Sequence, residues 1–244
     1  MKLTSLQNDK VKYWNNLKNK RFRDQEGCFL IEGDHLIKEA KMKNLIKETI
    51  SIDDEKADYL VTKEIMNKIS DQKSISKNAA VVGFIPEKKI TGNILILDNL
   101  QDPGNLGTII RSSVAFNFNN IILSDTSVDL YNPKVVRATE GMLFSTNVLR
   151  KNIEKFIPEL KNMGYKIIGT DVIKGSSIKQ IPKEKIAIVI GSEGGGINKD
   201  IKELCDSFIN IKMNNDVESL NASVAASIIM YEVNNGWVCI NKDW

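Results

Sequence analysis

Apolar residues in the second half of the chain come in short continuous runs rather than alternating with polar residues. The runs lie at residues 94–97, 121–123, 166–170, 186–190 and 208–211. Apolar residues at helical spacing fill the stretches between them, near 107–118, 153–163, 197–205 and 219–234. Because continuous apolar runs indicate strands covered on both faces, this pattern predicts an α/β fold with a mostly parallel sheet flanked by helices.

The first part of the chain has a shorter strand and helix rhythm. Its predicted elements are a helical stripe within residues 1–20, a strand at 29–31, a helix near 36–40, strands at 49–52 and 59–62, a helix at 63–69 and a strand at 79–85. Pro86, a charged triplet at 87–89 and Gly92 then mark a linker. We therefore expect two domains, a small α/β domain at 1–88 and a larger one at 89–244.

The composition is that of an ordinary globular protein. Of the 244 residues, 42% are hydrophobic and 27% are charged. No segment approaches the roughly 20 apolar residues that span a bilayer, and the first residues lack the apolar core of a signal peptide. We expect a cytoplasmic protein with no membrane partner.

Cysteine and histidine limit the possible chemistry. Cys28, Cys205 and Cys239 lie far apart, without a second cysteine or histidine at metal-ligand spacing. The single histidine, His35, excludes a multi-histidine metal centre. The sequence therefore favours metal-free chemistry, with buried thiols and a His35 that is structural or faces a ligand.

Positive charge is concentrated at the start of the chain. The formal net charge is +3, and residues 1–23 carry seven Lys and Arg against Asp9 alone, or +6, which leaves −3 for the rest. Such a cluster suits a polyanion, although a solvated basic helix face has the same pattern. The candidate contacts to a nucleic acid such as RNA are Lys18, Lys20, Arg21, Arg23 and, further along the chain, Arg137.

Three segments carry candidate chemistry, and the first is LILDNLQDPGNLGTIIRSSVAF at 95–116. A strand runs into a Pro-Gly turn and then a helix, at the sheet edge where open α/β sheets bind ligands. Asn105 and Arg111 are expected to face one cleft, where Arg111 suits bidentate phosphate binding. A surface ion pair is the alternative interpretation of Arg111.

The second segment, IAIVIGSEGGGIN at 186–198, is a buried strand followed by a glycine-rich turn. The glycines allow close approach of a ligand to the backbone. The turn comes late in its domain and contains Glu193, unlike a dinucleotide-binding fingerprint, and no Gly-Lys-Ser/Thr follows as in a Walker loop. Alone, it is more typical of a tight turn than of a site.

The third segment, FINIKMNNDVESLNASVAASIIMYEV at 208–233, is a strand, a polar loop and a helix. Ser219 is a candidate N-cap. An apolar stripe at Leu220, Val224, Ile228 and Tyr231 predicts a buried helix.

In this order and spacing the three segments resemble the motifs of the SpoU branch of the SPOUT RNA methyltransferases, with SLNASVAASI at 219–228 the best match. The resemblance spans residues 94–240. Upstream, FLIEGDHLIKEA and YLVTKEIMNKIS resemble the substrate-binding domain, of ribosomal-protein-like fold, that precedes many of these catalytic domains.

The resemblance implies a C-terminal trefoil knot, which periodicity alone does not predict because knots are rare. It also implies that S-adenosylmethionine donates a methyl group to a ribose 2′-hydroxyl of RNA. The implied cofactor-binding residues are Gly191, Ile211, Met213 and Leu220.

The family assigns activation of the hydroxyl to the arginine of the first motif, here Arg111, in a site shaped by Asn105, Glu193, Ser219 and Asn221. Because a guanidinium rarely gives up its proton, we favour Arg111 as a phosphate-anchored group that stabilises the developing alkoxide. Its role as a literal base stays open. The sequence departs from the usual pattern of the family at two places, Glu140 and the turn at 145–147. Both departures concern contacts to RNA rather than the reaction.

The resemblance further implies a homodimer whose active site borrows residues across the interface. Ribosomal RNA is the preferred substrate, with transfer RNA as the alternative, because the upstream domain resembles those of ribosomal RNA enzymes. A non-catalytic RNA-binding protein of the same fold is disfavoured, since all five motif residues are present. A nucleotide-dependent oxidoreductase is supported only by the glycine-rich turn.

Overall fold

A computed structural model of the protein describes residues 1–72, 74–172, 175–177, 185–214 and 216–238, with the backbone alone for 236–238. The chain forms two compact units. The first contains Met1–Pro86 together with Asp129–Phe144, and the second contains the rest of the chain. The division at 86/87 lies two residues from the predicted boundary. Residues 129–144, which the sequence places in the second domain, belong to the first unit.

The first unit begins with a five-stranded sheet and its helices. Its elements are β1 (Lys2–Leu3), α1 (Asp9–Asn16), α2 (Lys20–Glu26), β2 (Cys28–Glu32), α3 (Asp34–Met42), β3 (Ile46–Ser51), β4 (Tyr59–Val61), α4 (Lys63–Ile69) and β5 (Asn78–Gly83). The strand order is β1-β4-β3-β5-β2, with β5 antiparallel to both of its neighbours. Trp14 is fully buried in the core of this unit.

The predicted helical stripe in residues 1–20 corresponds to α1, and a second helix, α2, begins only at Lys20. Asn8 caps the first and Asn19 caps the second, each side chain accepting a hydrogen bond from a backbone N–H two residues on. The basic residues at 18–23 therefore lie around the start of a separate short helix.

The second unit is built on a seven-stranded sheet. The elements along the remaining chain are β6 (Ile94–Leu97), α5 (Pro103–Ala115), β7 (Asn120–Leu123), α6 (Pro133–Ala138, in the first unit), β8 (Asn147–Arg150), α7 (Ile153–Asn162), β9 (Lys166–Thr170), β10 (Ser176–Ser177), β11 (Ile186–Ile190), α8 (Lys199–Leu204), β12 (Ser207–Asn210) and α9 (Ala222–Val238). The strand order is β10-β12-β9-β11-β6-β7-β8.

Every pairing in this sheet is parallel, which confirms the predicted α/β fold with a mostly parallel sheet. The chain builds outward from β6 to β8 and then crosses to β9 on the other side of the central pair β11 and β6. Ligands of open α/β sheets bind where strand order reverses, at the carboxyl ends of the strands. The three motifs follow β6, β11 and β12, at this edge.

Residues 129–144 pack within the first unit through aromatic and charged contacts. The ring of Tyr131 stacks on Phe84, with centroids 4.1 Å apart, and lies 4.6 Å from the ring of Phe29. Asp129 forms an ion pair with the buried Arg23. These partners are far away in sequence, which explains why local pattern did not predict the assignment of this segment.

The described helices include none long and apolar enough to cross a membrane.

Candidate functional site

A cavity of about 520 Å³ opens at the carboxyl ends of β9, β11 and β12, beside the start of α9. Thr170, Asp171 and Val172, which sequence reasoning missed, form one wall of it. Six of the predicted site residues line it: Gly191, Glu193, Ile211, Met213, Ser219 and Leu220. All four predicted cofactor-binding residues are thus at one cavity, of the size of a small-molecule site.

Gly191 lies where no side chain fits. A Cβ atom there would be 1.9 Å from the carbonyl carbon of Gly196, because the turn closes on itself through reciprocal backbone hydrogen bonds between Ser192 and Gly196. Gly194, in the same turn, has open space around its Cβ position. The turn therefore offers bare backbone at Gly191, and main-chain amides and carbonyls can bind an adenine edge without a charged side chain. The cavity fits a nucleoside cofactor.

A hydrogen-bonded cluster joins the three motifs beside this cavity, which Glu193 lines and which Asn105 and Asn221 do not. The Asn105 side-chain amide donates to the Glu193 carboxylate at 2.6 Å, and its oxygen accepts from the Asn221 amide at 3.0 Å. Asn105 is itself held at the start of α5, where its backbone N–H donates to the Asp102 carboxylate. Because both ends of the Asn105 amide are used, the orientation of the cluster is fixed.

Asn221, and not Ser219, caps α9. The Asn221 side-chain oxygen accepts from the backbone N–H of Ser223 at 2.9 Å and from its hydroxyl at 2.7 Å. The predicted cap at Ser219 is wrong because the helix begins at Ala222, two residues later than a Ser219 cap requires. Ser219 instead lines the cavity with an exposed side chain.

Arg111 does not line the cavity. It lies on the exposed face of α5, together with Gly104, Thr108 and Ala115. Among the residues that the structure describes, no ion-pair partner for Arg111 is found. The alternative interpretation, a surface ion pair, has no support in this part of the chain, and the cleft shared with Asn105 within one subunit is not observed.

The helix α9 buries one side, with Ala226, Ile229 and Met230, but two of the four residues of the predicted apolar stripe are exposed. Val224 and Tyr231 keep 45% and 50% of their surface accessible. Beside this stripe α9 packs on α5, where the hydroxyls of Ser227 and Ser112 are 2.8 Å apart and the half-exposed ring of Tyr231 meets that of Phe116 edge to face at 5.6 Å. The exposed residues of the stripe and the exposed face of α5 thus belong to one pair of packed helices.

Two further polar groups lie near the cavity. Lys202 and Asp171, both in its lining, form an ion pair at 3.2 Å.

Burial raises the pKa of the Cys205 thiol to about 11, so it stays protonated at neutral pH. Cys28 is buried, and Cys239 lies outside the described residues. In the described part of the chain, no three His, Cys, Asp or Glu side chains are grouped to hold a metal ion.

The predicted RNA-binding residues of the first unit differ in their availability. Arg21 is exposed, Lys20 is exposed beside Asp24, and Lys18 donates to the Lys68 carbonyl at 2.8 Å from an exposed position. Arg137 is half-buried and lies 3.5 Å from Asp71. These four side chains keep charge at the surface of the unit.

Arg23 is the exception among these residues. Only 3% of it is exposed, and its guanidinium donates to the Leu17 and Lys18 carbonyls and pairs with Asp129. A phosphate cannot reach a guanidinium that is enclosed in this way. We therefore correct the prediction that Arg23 contacts RNA and assign it a structural role.

His35 and Glu140, noted in the sequence, lie together in the first unit. The His35 Nε2 is 3.1 Å from the Glu140 carbonyl oxygen. Glu140 has a φ of 48°, in the left-handed region that non-glycine residues seldom adopt. This contact gives His35 a local structural role.

Two family models match separate parts of the chain. Residues 92–231 match the SpoU rRNA Methylase family, and residues 8–80 match the MRM3-like substrate binding domain. The chain is 33% identical over 243 residues to a Bacillus subtilis protein, 23S rRNA (guanosine(2553)-2'-O)-methyltransferase RlmP, covering 95% of this chain and 98% of the relative. A putative TrmH family tRNA/rRNA methyltransferase of Staphylococcus aureus is 39% identical over 149 residues, 60% of each chain.

Solved structures share the fold over nearly the whole chain. An AdoMet-bound rRNA methyltransferase from Sinorhizobium meliloti superposes with a TM-score of 0.87 at 24% identity, covering 96% of this chain and 97% of its own. The SpoU methyltransferase AviRb from Streptomyces viridochromogenes, in complex with AdoMet, gives 0.85 at 23% identity, covering 95% and 99%. With a family match over more than half of its residues and a full-length relative, this chain belongs to the SpoU rRNA methylase family.

Proposed function

We propose that the protein transfers a methyl group from S-adenosylmethionine to the ribose 2′-hydroxyl of a guanosine in ribosomal RNA. The observation that carries this proposal is the hydrogen-bonded cluster of Asn105, Glu193 and Asn221, which links all three motifs to the cavity through Glu193. A protein that merely kept the fold would have no need of this fixed polar arrangement. The proposal therefore favours catalysis over RNA binding alone.

Backbone groups of Gly191, Ile211 and Leu220 would hold the cofactor, with Met213 beside it. When bound, S-adenosylmethionine supplies an electrophilic sulfonium methyl group. The protein then has to align a weak nucleophile and keep the site dry. The carboxylate of Glu193, which lines the cavity and is held by the fixed amide of Asn105, would orient the ribose.

Arg111 would act from one subunit on the cofactor cavity of the other. In support, it is exposed, does not line the cavity of its own subunit, and lies on α5, which packs on the helix α9 that carries the exposed Val224 and Tyr231. An apolar stripe on a pair of packed helices suits a symmetric dimer contact. There Arg111 would bind a phosphate and stabilise the developing alkoxide.

The C-terminal part of the second unit would be knotted as in the SPOUT enzymes. In support, residues from the start of α9 line the same cavity as the turn after β11 and the loop after β12. The first unit would bind the RNA, through Lys18, Lys20, Arg21 and Arg137. Action on ribosomal RNA would place the protein in the cytoplasm.

Two observations favour ribosomal over transfer RNA as the substrate. The full-length relative carries the name of a 23S rRNA guanosine methyltransferase, and a substrate-binding domain matches residues 8–80. Transfer RNA remains the second candidate, because a partial relative is named as a tRNA/rRNA enzyme.

The test is to label RNA in vitro with the purified protein and methyl-labelled cofactor. Ribosomal RNA and transfer RNA from cells that lack the gene are compared as acceptors, and the labelled nucleotide is then mapped. We expect label at one guanosine of 23S rRNA, and at least about a hundredfold less with Glu193→Ala. Cofactor binding without label in any RNA would refute the proposed function.

A further inference from the structure

A second cavity, of about 670 Å³, lies at the carboxyl ends of β6 and β7. Asp98, Asn99 and Thr126 form its sheet-side wall, and Asn198 and Lys199 lie across from them. None of the predicted site residues lines this cavity, although Asp98 and Asn99 belong to the first motif segment and Asn198 to the second. Its size exceeds what a nucleoside needs.

Asp98 is the unusual group in this cavity. Its residue surface is only 6% exposed, and one carboxylate oxygen accepts from the backbone N–H of Asn198 at 2.8 Å. The other oxygen has no hydrogen-bond partner among the residues that the structure describes. Because Asp98 is buried as a residue while this oxygen is reachable from the cavity that it lines, the free acceptor can receive a hydrogen bond from a ligand that donates one.

The wall around Asp98 is ordered in advance. The Arg150 guanidinium donates to the carbonyls of Ser124, Asp125, Ser127 and Val128, at 2.6 to 3.2 Å. The hydroxyls of Ser124 and Ser127 in turn accept from the backbone N–H groups of Asn99 and Leu100. A wall held in this way loses little entropy when a ligand binds.

This second cavity adjoins the cofactor cavity. Ser192, Gly195, Gly196, Ile197 and Lys202 line both, so only the glycine-rich turn lies between them. An enzyme that joins two substrates needs their subsites side by side, with the reacting atoms meeting at the boundary. The cluster of Asn105 and Glu193 lies at this turn.

We propose that the second cavity takes the base of the acceptor nucleotide and that Asp98 is a specificity-determining residue for guanine. The proposal rests on the proposed function, since it names the acceptor of that reaction. Enzymes that modify nucleotides read an extruded base by hydrogen bonds to its Watson–Crick edge. Guanine presents two adjacent N–H donors there, whereas adenine places an acceptor nitrogen beside its amino group, which a carboxylate repels.

The test compares two RNA fragments spanning the mapped nucleotide, one with guanosine and one with adenosine at that position. We expect the wild-type protein to prefer guanosine by at least about tenfold in kcat/KM. In Asp98→Asn, which can still accept from the Asn198 N–H, an amide replaces the free acceptor. For this variant we expect kcat/KM on the guanosine fragment to fall about tenfold, so that its kcat/KM values on the two fragments differ by less than about threefold.

Lys199→Ala is the matched control on the other wall. An exposed lysine attracts the phosphate backbone of either RNA equally, so its removal should leave the preference for guanosine unchanged. Cofactor affinity, measured by calorimetry, should be unchanged in both variants. An Asp98→Asn protein that binds cofactor and keeps the wild-type preference would overturn the inference and leave the proposed function intact.

Titration of GMP into the cofactor-loaded protein tests the cavity without any RNA. We expect Asp98→Asn to weaken GMP binding about tenfold and Lys199→Ala to leave GMP discrimination against AMP unchanged. Binding of GMP with wild-type affinity to Asp98→Asn would overturn the inference. Asp98-dependent GMP binding in a protein that labels no RNA would instead refute the proposed function alone.

Discussion

The glycine-rich turn and the basic N-terminal stretch are both conspicuous in the sequence, but the structure uses them differently. At the turn, Gly191 and Glu193 lie at the cavity, as the motif predicts. In the basic stretch, Arg23 is buried against Asp129, 106 residues away, while the neighbouring Arg21 is exposed. A site made from backbone is encoded locally, whereas the use of a charged side chain depends on partners that are remote in sequence.

The strongest test of whether the glycine-rich turn binds the cofactor is a comparison of Gly191→Ala with Gly194→Ala. A Cβ at Gly191 overlaps the Gly196 backbone, so the turn must shift, and we expect cofactor affinity to fall at least about a hundredfold, or roughly 3 kcal/mol. Gly194→Ala has space and should bind within about threefold of wild type. Calorimetric titration measures both, and a thermal unfolding curve checks folding. Equal affinities of the two variants would mean that the turn does not cradle the cofactor.

Subunit mixing tests whether Arg111 acts across the dimer. We expect Arg111→Ala to reduce methyl transfer by about 100- to 1,000-fold without changing cofactor affinity. Co-expression with Gly191→Ala should restore about a quarter of wild-type activity, because about half the dimers are mixed and each has one intact site. An arginine that acts within its own subunit predicts no recovery. Absence of recovery, with mixed dimers demonstrated, would refute the exchange.

A comparison of Arg23→Met with Arg21→Met distinguishes a buried, structural arginine from an exposed one. Removing the buried guanidinium leaves the Asp129 carboxylate without its ion-pair partner, and we expect the free energy of unfolding to fall by about 3 kcal/mol. Arg21→Met should change it by less than about 0.5 kcal/mol. Denaturant unfolding curves measure both values. Equal stabilities would contradict the structural assignment of Arg23.

The smallest expected effect concerns the exposed charges of α2. The double variant Lys20→Gln with Arg21→Gln should weaken RNA binding and lower the slope of log affinity against log salt by about 2, because two phosphates are no longer neutralised. Lys56→Gln with Lys63→Gln, two exposed lysines elsewhere in the unit, is the matched control and should leave the slope unchanged. Identical slopes for the two pairs would remove α2 from the RNA-binding surface.

Much of the second unit was predictable, because its strands are continuous apolar runs. The runs at 94–97, 166–170 and 186–190 coincide with β6, β9 and β11. The strand at Asn147–Arg150 was missed because its buried and partly buried residues alternate, and it contains only two apolar side chains. A short strand at the edge of a sheet lacks the pattern that identifies a central one.

The candidate site was predictable where residues follow a strand within a motif, as Asn105 and Glu193 do. Asp98 also follows a strand directly, but a single carboxylate forms no spaced pattern with other residues in the sequence. Its candidate role is therefore visible only from the cavity that it lines. The exposure of Arg111 depends on which face of α5 packs on α9. Such tertiary contacts cannot be inferred from one helix alone.

The chemical identity of the product tests the central claim most directly. RNA labelled by the protein from methyl-labelled S-adenosylmethionine is hydrolysed with alkali, which cleaves only where a 2′-hydroxyl is free. We predict that the label is recovered in alkali-resistant dinucleotides whose 5′ member is guanosine. Label released in mononucleotides would place the methyl group on a base and would contradict ribose 2′-O-methylation.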